Sequence, residues 1–271
     1  MEECEASVDM GGPLGYLMYW KDTQNIRADE SCGSMQPNEI YFLFWGMKKW
    51  IVGLIGTLAV LVSAAQHKER AFQKDIDAFV RQDSLQAPPD QPVLLIGSSS
   101  FTYWKDVQAA FPGNKILNRG FGGSSLTDLI YFAPQVLFAY HPSQIIIYCG
   151  ENDIAATPAA SPKEVLARFK TLFRLIRQKW ADVPVIYVSI KPSPARWQLE
   201  QQFVETNRRI SAYLQHKKKA VFLDVHSHML DSLGHTRPEL YISDRLHMNQ
   251  EGYNIWKNLL FPLLGARERG R

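Results

Sequence analysis

The stretch Val93-Leu94-Leu95-Ile96-Gly97-Ser98-Ser99-Ser100 decides how the rest of the chain is read. Four consecutive aliphatic residues fit a strand buried on both faces. The glycine at its end permits a tight turn, which lifts a following hydroxyl into a cleft. Serines also cap helices constantly. The stretch alone therefore leaves two readings open, a strand ending in a nucleophile and an ordinary strand-to-helix loop.

Outward from this stretch the pattern alternates. It predicts a helix over 103–111, a short strand over 115–118, helical turns over 126–140 that Pro134 interrupts, and a strand over 144–149. Ser161-Pro162-Lys163-Glu164 then places a serine cap, a proline at the first helical position and a glutamate three residues on, the signature of a capping box. Its helix is expected to bury Val165, Phe169, Leu172, Phe173 and Ile176. A strand over 185–190, a helix over 197–214 and a strand over 221–225 follow. A last helix is expected to bury Tyr253, Trp256, Leu259, Leu260 and Leu263. Upstream, Phe72, Ile76, Phe79 and Val80 recur at helical spacing before the chain breaks at Pro88-Pro89. Five strands alternating with helices predict an α/β fold, a parallel sheet covered on both faces through right-handed crossovers.

The first 65 residues read differently. Residues 1–46 carry two basic and eight acidic side chains within an overall charge of +3, and they lack amphipathic periodicity. Met47-Lys48-Lys49 then heads the uncharged run from Trp50 to Ala65, which ends in small residues. That is the pattern of a secretory signal peptide. With Tyr41 to Trp45 in front of it, a tilted membrane anchor is the rival reading. The expected organisation is thus an upstream leader over 1–46, a signal peptide or anchor over 47–65, and one domain over 66–271. The domain would be exported, periplasmic or extracellular, or held at a membrane through residues 40–65. Of the three cysteines, Cys149 alone lies in that domain, so no internal disulfide is available to it, and its place after four apolar residues suits packing. The domain's 26 basic and 19 acidic residues form no basic stripe with interleaved aromatics, so nucleic acid is not an expected partner.

In an open parallel sheet, ligands bind beyond the carboxyl ends of the strands. The residues following the strands therefore share one rim: Ser98-Ser99-Ser100, then Asn118-Arg119-Gly120-Phe121-Gly122-Gly123, then Gly150-Glu151-Asn152-Asp153, and later Asp244-Arg245-Leu246-His247. These supply each part that acyl transfer needs. Serine is a poor nucleophile until a base takes its proton; His247 can be that base and Asp244 can orient its ring. Backbone N–H groups at Ser99 and Gly123 and the amide of Asn152 can hold an oxyanion. The glycine loop does not fit a dinucleotide fingerprint, because Ser125 stands where the third glycine belongs. His226-Ser227-His228 lacks further ligands at a fixed spacing and is read as solvent-facing rather than as a metal site.

These four blocks, in this order, resemble the SGNH hydrolases, also called the GDSL-type esterase/lipase family. The resemblance covers roughly residues 93–264 and falls within the small-acylhydrolase branch similar to platelet-activating-factor acetylhydrolase subunits and carbohydrate esterases. It implies a flavodoxin-like three-layer α/β/α fold, Ser99 as nucleophile, Gly123 and Asn152 as oxyanion donors, and Asp244 with His247 completing a triad. Ser98 stands where the family usually has an acidic residue, which weakens the literal GDSL label and leaves the nucleophile position intact. The implied activity is a serine esterase, without metal or cofactor, that removes short acyl groups from an alcohol or sugar ester, its partner being a small acyl ester such as an acylated sugar or lipid. A lysophospholipase or thioesterase of the same fold, and a catalytically idle glycan-binding domain, remain alternatives. Arg119 and Arg196 are candidate substrate-binding residues, with Trp104 or Trp197 as aromatic companions at the rim.

Overall fold

In the computed structural model, strand β1 (Val93–Gly97) is buried along its whole length, as four aliphatics in a row require of a central strand. It lies between β2 (Ile116–Gly120) and β3 (Gln144–Tyr148), pairing with both in parallel, and β4 (Val185–Val188) and β5 (Ala220–Leu223) extend the sheet. The strand order β2-β1-β3-β4-β5 is the flavodoxin-like one. The structure describes residues 71–264, all within one compact unit. The leader and the signal peptide or anchor expected over 1–65 lie outside the described residues. No described helix is long and apolar enough to cross a membrane.

Strand alternation sorts the core into two layers. Leu94, Ile96, Ile145, Ile147, Val185 and Tyr187 face α1 (Gln73–Leu85), α4 (Leu126–Tyr131), α5 (Ala133–Val136), α7 (Pro162–Lys179) and α8 (Glu200–Leu214). Val93, Leu95, Ile146, Tyr148, Ile186 and Val188 face α2 (Ser99–Thr102), α3 (Val107–Ala110) and α9 (Gln250–Leu260). A short helix α6 (Glu151–Ala155) follows β3. The capping box at Ser161 and Glu164 forms, and α7 buries all five expected residues.

Several boundaries shift. Of the helix expected over 103–111 only α3 forms; a separate short helix, α2, precedes it, and between them the chain turns where Lys105 N donates to the Tyr103 carbonyl at 2.9 Å. The start of the helix expected over 197–214 is a 3-10 turn, Pro194–Leu199, ahead of α8. Val80, expected on the buried face of α1, is 54% exposed. In α9, Tyr253, Trp256 and Leu260 are buried and Leu259 is only partly covered, as is Leu263 in the 3-10 turn Phe261–Leu263 that follows.

Candidate active site

The turn after β1 is built on a position that only glycine can fill. Gly97 has φ +153°, and a Cβ there would meet the Tyr148 carbonyl oxygen at 2.0 Å. That oxygen accepts from Ser98 N at 3.0 Å, pinning the start of the turn to β3. Ser98 and Ser100 are both buried, whereas Ser99 between them is half-buried. Ser99 opens α2, its N–H donates to no described residue, and its carbonyl accepts from Tyr103 N at 2.8 Å.

The glycine loop packs against this turn. Asn118 donates Nδ2 to the Phe101 carbonyl at 2.7 Å and accepts from Gly120 N at 3.0 Å. Phe121 N and Ser124 Oγ both donate to the Gly97 carbonyl, at 2.9 and 3.2 Å. Gly122 faces Ser99: a Cβ there would lie 3.9 Å from Ser99 Cβ. Gly123, at φ +83°, turns the chain with its N–H unengaged by any described residue.

Asn152, on α6 beyond β3, reaches the same loop. Its Nδ2 donates to the Ser124 carbonyl at 3.0 Å, and its Oδ1 accepts from Arg196 Nη1 at 3.1 Å. Behind it lies a buried charge cluster. Glu151 Oε1 accepts from Arg196 Nη1 at 2.8 Å; Oε2 accepts from Lys191 Nζ at 3.2 Å and from the Tyr148 hydroxyl at 2.5 Å. Burial works to raise the Glu151 carboxyl, but Lys191 and Arg196 outweigh it and hold it below the ordinary carboxylate range. Asp153, fully buried, accepts from Leu126 N at 2.9 Å and Arg168 Nη1 at 2.8 Å, fastening α4 and α7 to the site.

Asp244 and His247 meet as their spacing suggests. His247 Nδ1 lies 2.6 Å from Asp244 Oδ2, and Asp244 Oδ1 accepts the N–H groups of Leu246 and His247, each at 2.9 Å. Partial burial pushes the Asp244 carboxyl up, and these bonds from His247 and Leu246 more than reverse it, leaving it at about 2. An ionised carboxylate only accepts, so Nδ1 must carry the proton; the neutral ring then presents Nε2 as a base. The ring stacks on Tyr103, with centroids 4.3 Å apart, and Tyr103 N is the group bonded to the Ser99 carbonyl. On the other side of the turn, the Tyr253 hydroxyl donates to the Ser100 carbonyl at 2.8 Å. Ser99 and His247 are thus tied to one another through a single helical turn and the base of α9. Ala195 N donates to the Arg245 carbonyl at 3.1 Å, joining the Arg196 loop to the Asp244 loop.

Other expected site residues fall elsewhere. Arg119 is not at the rim: it shares its strand face with Leu117, toward α1, and is 2% exposed. There it pairs with Asp83, donates Nε to the Tyr140 hydroxyl at 2.6 Å and lies over the Phe79 ring. Trp104 is also a core residue, stacked on Tyr253, whereas Trp197 is partly exposed beside His235. Arg196 does reach the site, where it contacts Glu151 and Asn152. His226 is buried against Glu200, contrary to the solvent-facing expectation, while His228 is exposed with Nδ1 3.0 Å from the Asp224 carbonyl. No group of three metal-ligating side chains forms among the described residues. Cys149 is buried, and that burial pushes its thiol up, out of the range of a reactive thiolate. Sequence reasoning did not single out Tyr103, Tyr148, Glu151 or Lys191. The signal for Lys191 was present, since a lysine directly following the apolar strand end Val188-Ser189-Ile190 must find a buried counter-charge.

Residues 67–255 match the model of the GDSL-like Lipase/Acylhydrolase family. Among solved structures, a GDSL-like lipase from Bacteroides thetaiotaomicron superposes with a TM-score of 0.60 at 21% identity, over 70% of this chain and 96% of that one. A protein described as a platelet activating factor from Streptococcus pneumonia gives 0.63 at 21% identity, over 75% and 99%. An acetyl xylan esterase variant from Geobacillus stearothermophilus gives 0.53 at 15% identity, over 67% and 98%. At these identities the likeness is one of fold. An N-acylneuraminate cytidylyltransferase from Escherichia coli is 25% identical over 204 residues, 74% of this chain and 47% of that protein. The chain thus spans about half the length of the curated relative it matches. With its parallel sheet in flavodoxin-like order and a family match across most of its length, the chain belongs to the GDSL-like lipase/acylhydrolase family.

Proposed function

We propose that the chain is a serine esterase that removes short acyl groups from an alcohol or sugar ester through an acyl-enzyme. Ser99 Oγ attacks the ester carbonyl while His247 Nε2 takes its proton. Asp244 holds the ring in the required tautomer and stabilises the imidazolium. The oxyanion is received by Ser99 N, Gly123 N and Asn152 Nδ2. The protonated His247 then gives its proton to the leaving alkoxide. Water, deprotonated by the same nitrogen, cleaves the acyl-enzyme. The observation that carries the reading is the 2.6 Å contact between Asp244 and His247 Nδ1, set beside the one serine of three that is not buried. The family and the fold-level likeness to an acetyl xylan esterase support it.

Labelling with a fluorophosphonate, followed by peptide mapping, tests the assignment. The expected adduct is on Ser99, and Ser99→Ala should remain folded yet lose hydrolysis of p-nitrophenyl acetate. An adduct on Ser98 or Ser100 with Ser99 unmodified would overturn it, and absence of any turnover or adduct in the folded chain would favour an idle binding domain. We further propose export or anchoring through residues 40–65. N-terminal sequencing of the mature product should find no trace of residues 1–46, and their retention would contradict the leader reading.

A further inference from the structure

The orientation of the Asn152 carboxamide is fixed by chemistry rather than by shape. Its two ends are nearly isosteric, so only their partners decide which is oxygen. Arg196 can only donate and the Ser124 carbonyl can only accept, so Oδ1 faces Arg196 and Nδ2 faces Ser124. One Nδ2–H is spent on the loop that follows Gly123, and the other is left for the oxyanion. The Ser124 carbonyl holds the Nδ2 end, and Arg196 is the one donor to Oδ1 among the described residues, so without it the oxygen end loses its anchor and the amide is held at one end only.

Arg196 is itself held in place. Its Nη1 is shared between Asn152 Oδ1 and Glu151 Oε1, and Glu151 is gripped from the opposite side by Lys191 and Tyr148. Glu151 and Lys191 are 4% and 1% exposed, a burial of charge that rarely stabilises a fold on balance. A donor on Oδ1 polarises the amide and strengthens the opposite N–H as a donor.

Building on the serine-esterase reading, we propose that Arg196, held by the buried Glu151–Lys191 pair, is a positioning residue that orients and polarises the Asn152 carboxamide for the oxyanion. This replaces substrate binding as its main role. Arg196 side-chain exposure is 22%, so its removal leaves no fully buried cavity and the variant should fold.

The test compares Arg196→Ala, Asn152→Ala and the double variant on p-nitrophenyl acetate, with thermal unfolding to confirm folding. Arg196→Ala should lower kcat about 10- to 100-fold with KM within about twofold, and Asn152→Ala about 10²- to 10³-fold. The double variant should be no slower than Asn152→Ala to within about twofold, because Arg196 acts only through the amide. Independent, multiplying losses, or an Arg196→Ala effect confined to KM, would overturn the proposal while leaving the esterase reading intact. If Asn152→Ala itself left kcat unchanged, the oxyanion assignment beneath it would be the part that fails.

Discussion

At the scale of single residues, the proposed triad depends on a proton being kept on one nitrogen and a charge on one oxygen. The Asp244 carboxyl lies at about 2, below its ordinary 3.8, so the unfolded chain takes up that proton first as pH falls. Its contribution to stability is therefore complete above about pH 4 and is lost as pH drops toward 2. Across the range in which an esterase is assayed, Asp244 stays charged. The kcat/KM profile is accordingly expected to carry no step from Asp244 above about pH 4; a step in that window that Asp244→Asn removes would mean that the carboxylate titrates there. Asp244→Asn reverses the tautomer argument, because an amide can donate to Nδ1 and leave Nε2 protonated. It is expected to reduce kcat by about 10²- to 10⁴-fold. A loss below tenfold would show that the ring is oriented by other contacts, of which the Tyr103 stack is the foremost.

At the scale of elements, the parts with strong local chemistry were legible and the parts set by long-range contacts were not. The capping box at Ser161 declares itself because cap, proline and glutamate act within four residues, and the 3.6-residue spacing from Val165 to Ile176 then fixes the buried face of α7. A second capping box, Ser125 with Asp128, went unnoticed because its third position is Asp rather than Glu or Gln. The stretch 103–111 misleads for a different reason. Trp104, Val107 and Phe111 have helical spacing, yet Tyr103 lies against His247 while Trp104 enters the core beside Tyr253, and the backbone breaks between α2 and α3. The ring of Tyr103 and the Glu151–Lys191 pair depend on residues 40 or more positions apart in some cases, which no local pattern encodes. The legible part gives a clean test. Ser161→Ala should cost about 1 kcal/mol, lowering Tm by about 2–4 °C, with kcat unchanged because α7 packs behind the sheet. Differential scanning calorimetry beside an esterase assay checks both, and a fall in kcat at unchanged folding would tie α7 to the site, where Asp153 and Arg168 are the linking pair.

At the scale of the whole molecule, the topology explains why the blocks converge. The order β2-β1-β3-β4-β5 reverses direction between β1 and β3, and a crevice opens at such a switch point beyond the strand ends. Ser99 follows β1 and Asn152 follows β3, the two strands that flank the switch, while the glycine loop follows β2. That placement was readable from the alternation of strands and helices. The side-chain inventory of the rim was read less well, since strand alternation carries Arg119 toward α1 and core packing takes Trp104. The rim residues that remain are Asn152 with Arg196 on its Oδ1, and Asp244 with His247, whose ring stacks on the half-exposed Tyr103, while Trp197 lies beside His235.

That polar surrounding sets an expectation for acyl-chain length, the property that best separates the short-acyl reading from a lysophospholipase or thioesterase. A methylene that moves from water into an apolar channel contributes about 0.8 kcal/mol, or roughly fourfold in kcat/KM per carbon. A channel lined for long chains would therefore raise kcat/KM steeply from acetate to octanoate. Charged and amide groups offer no such gain, because each added methylene stays in water or displaces it from polar atoms that need it. We therefore expect kcat/KM to be highest for acyl groups of two to four carbons and to fall for longer ones, measured with p-nitrophenyl esters below their micelle concentrations. The leaving group should matter in the opposite direction: a sugar alcohol can use the guanidinium nitrogens of Arg196 that no described residue engages, and the ring of Trp197. An octanoate ester hydrolysed with greater kcat/KM than the acetate would put an apolar acyl channel beside Ser99 and transfer the chain to the lysophospholipase reading.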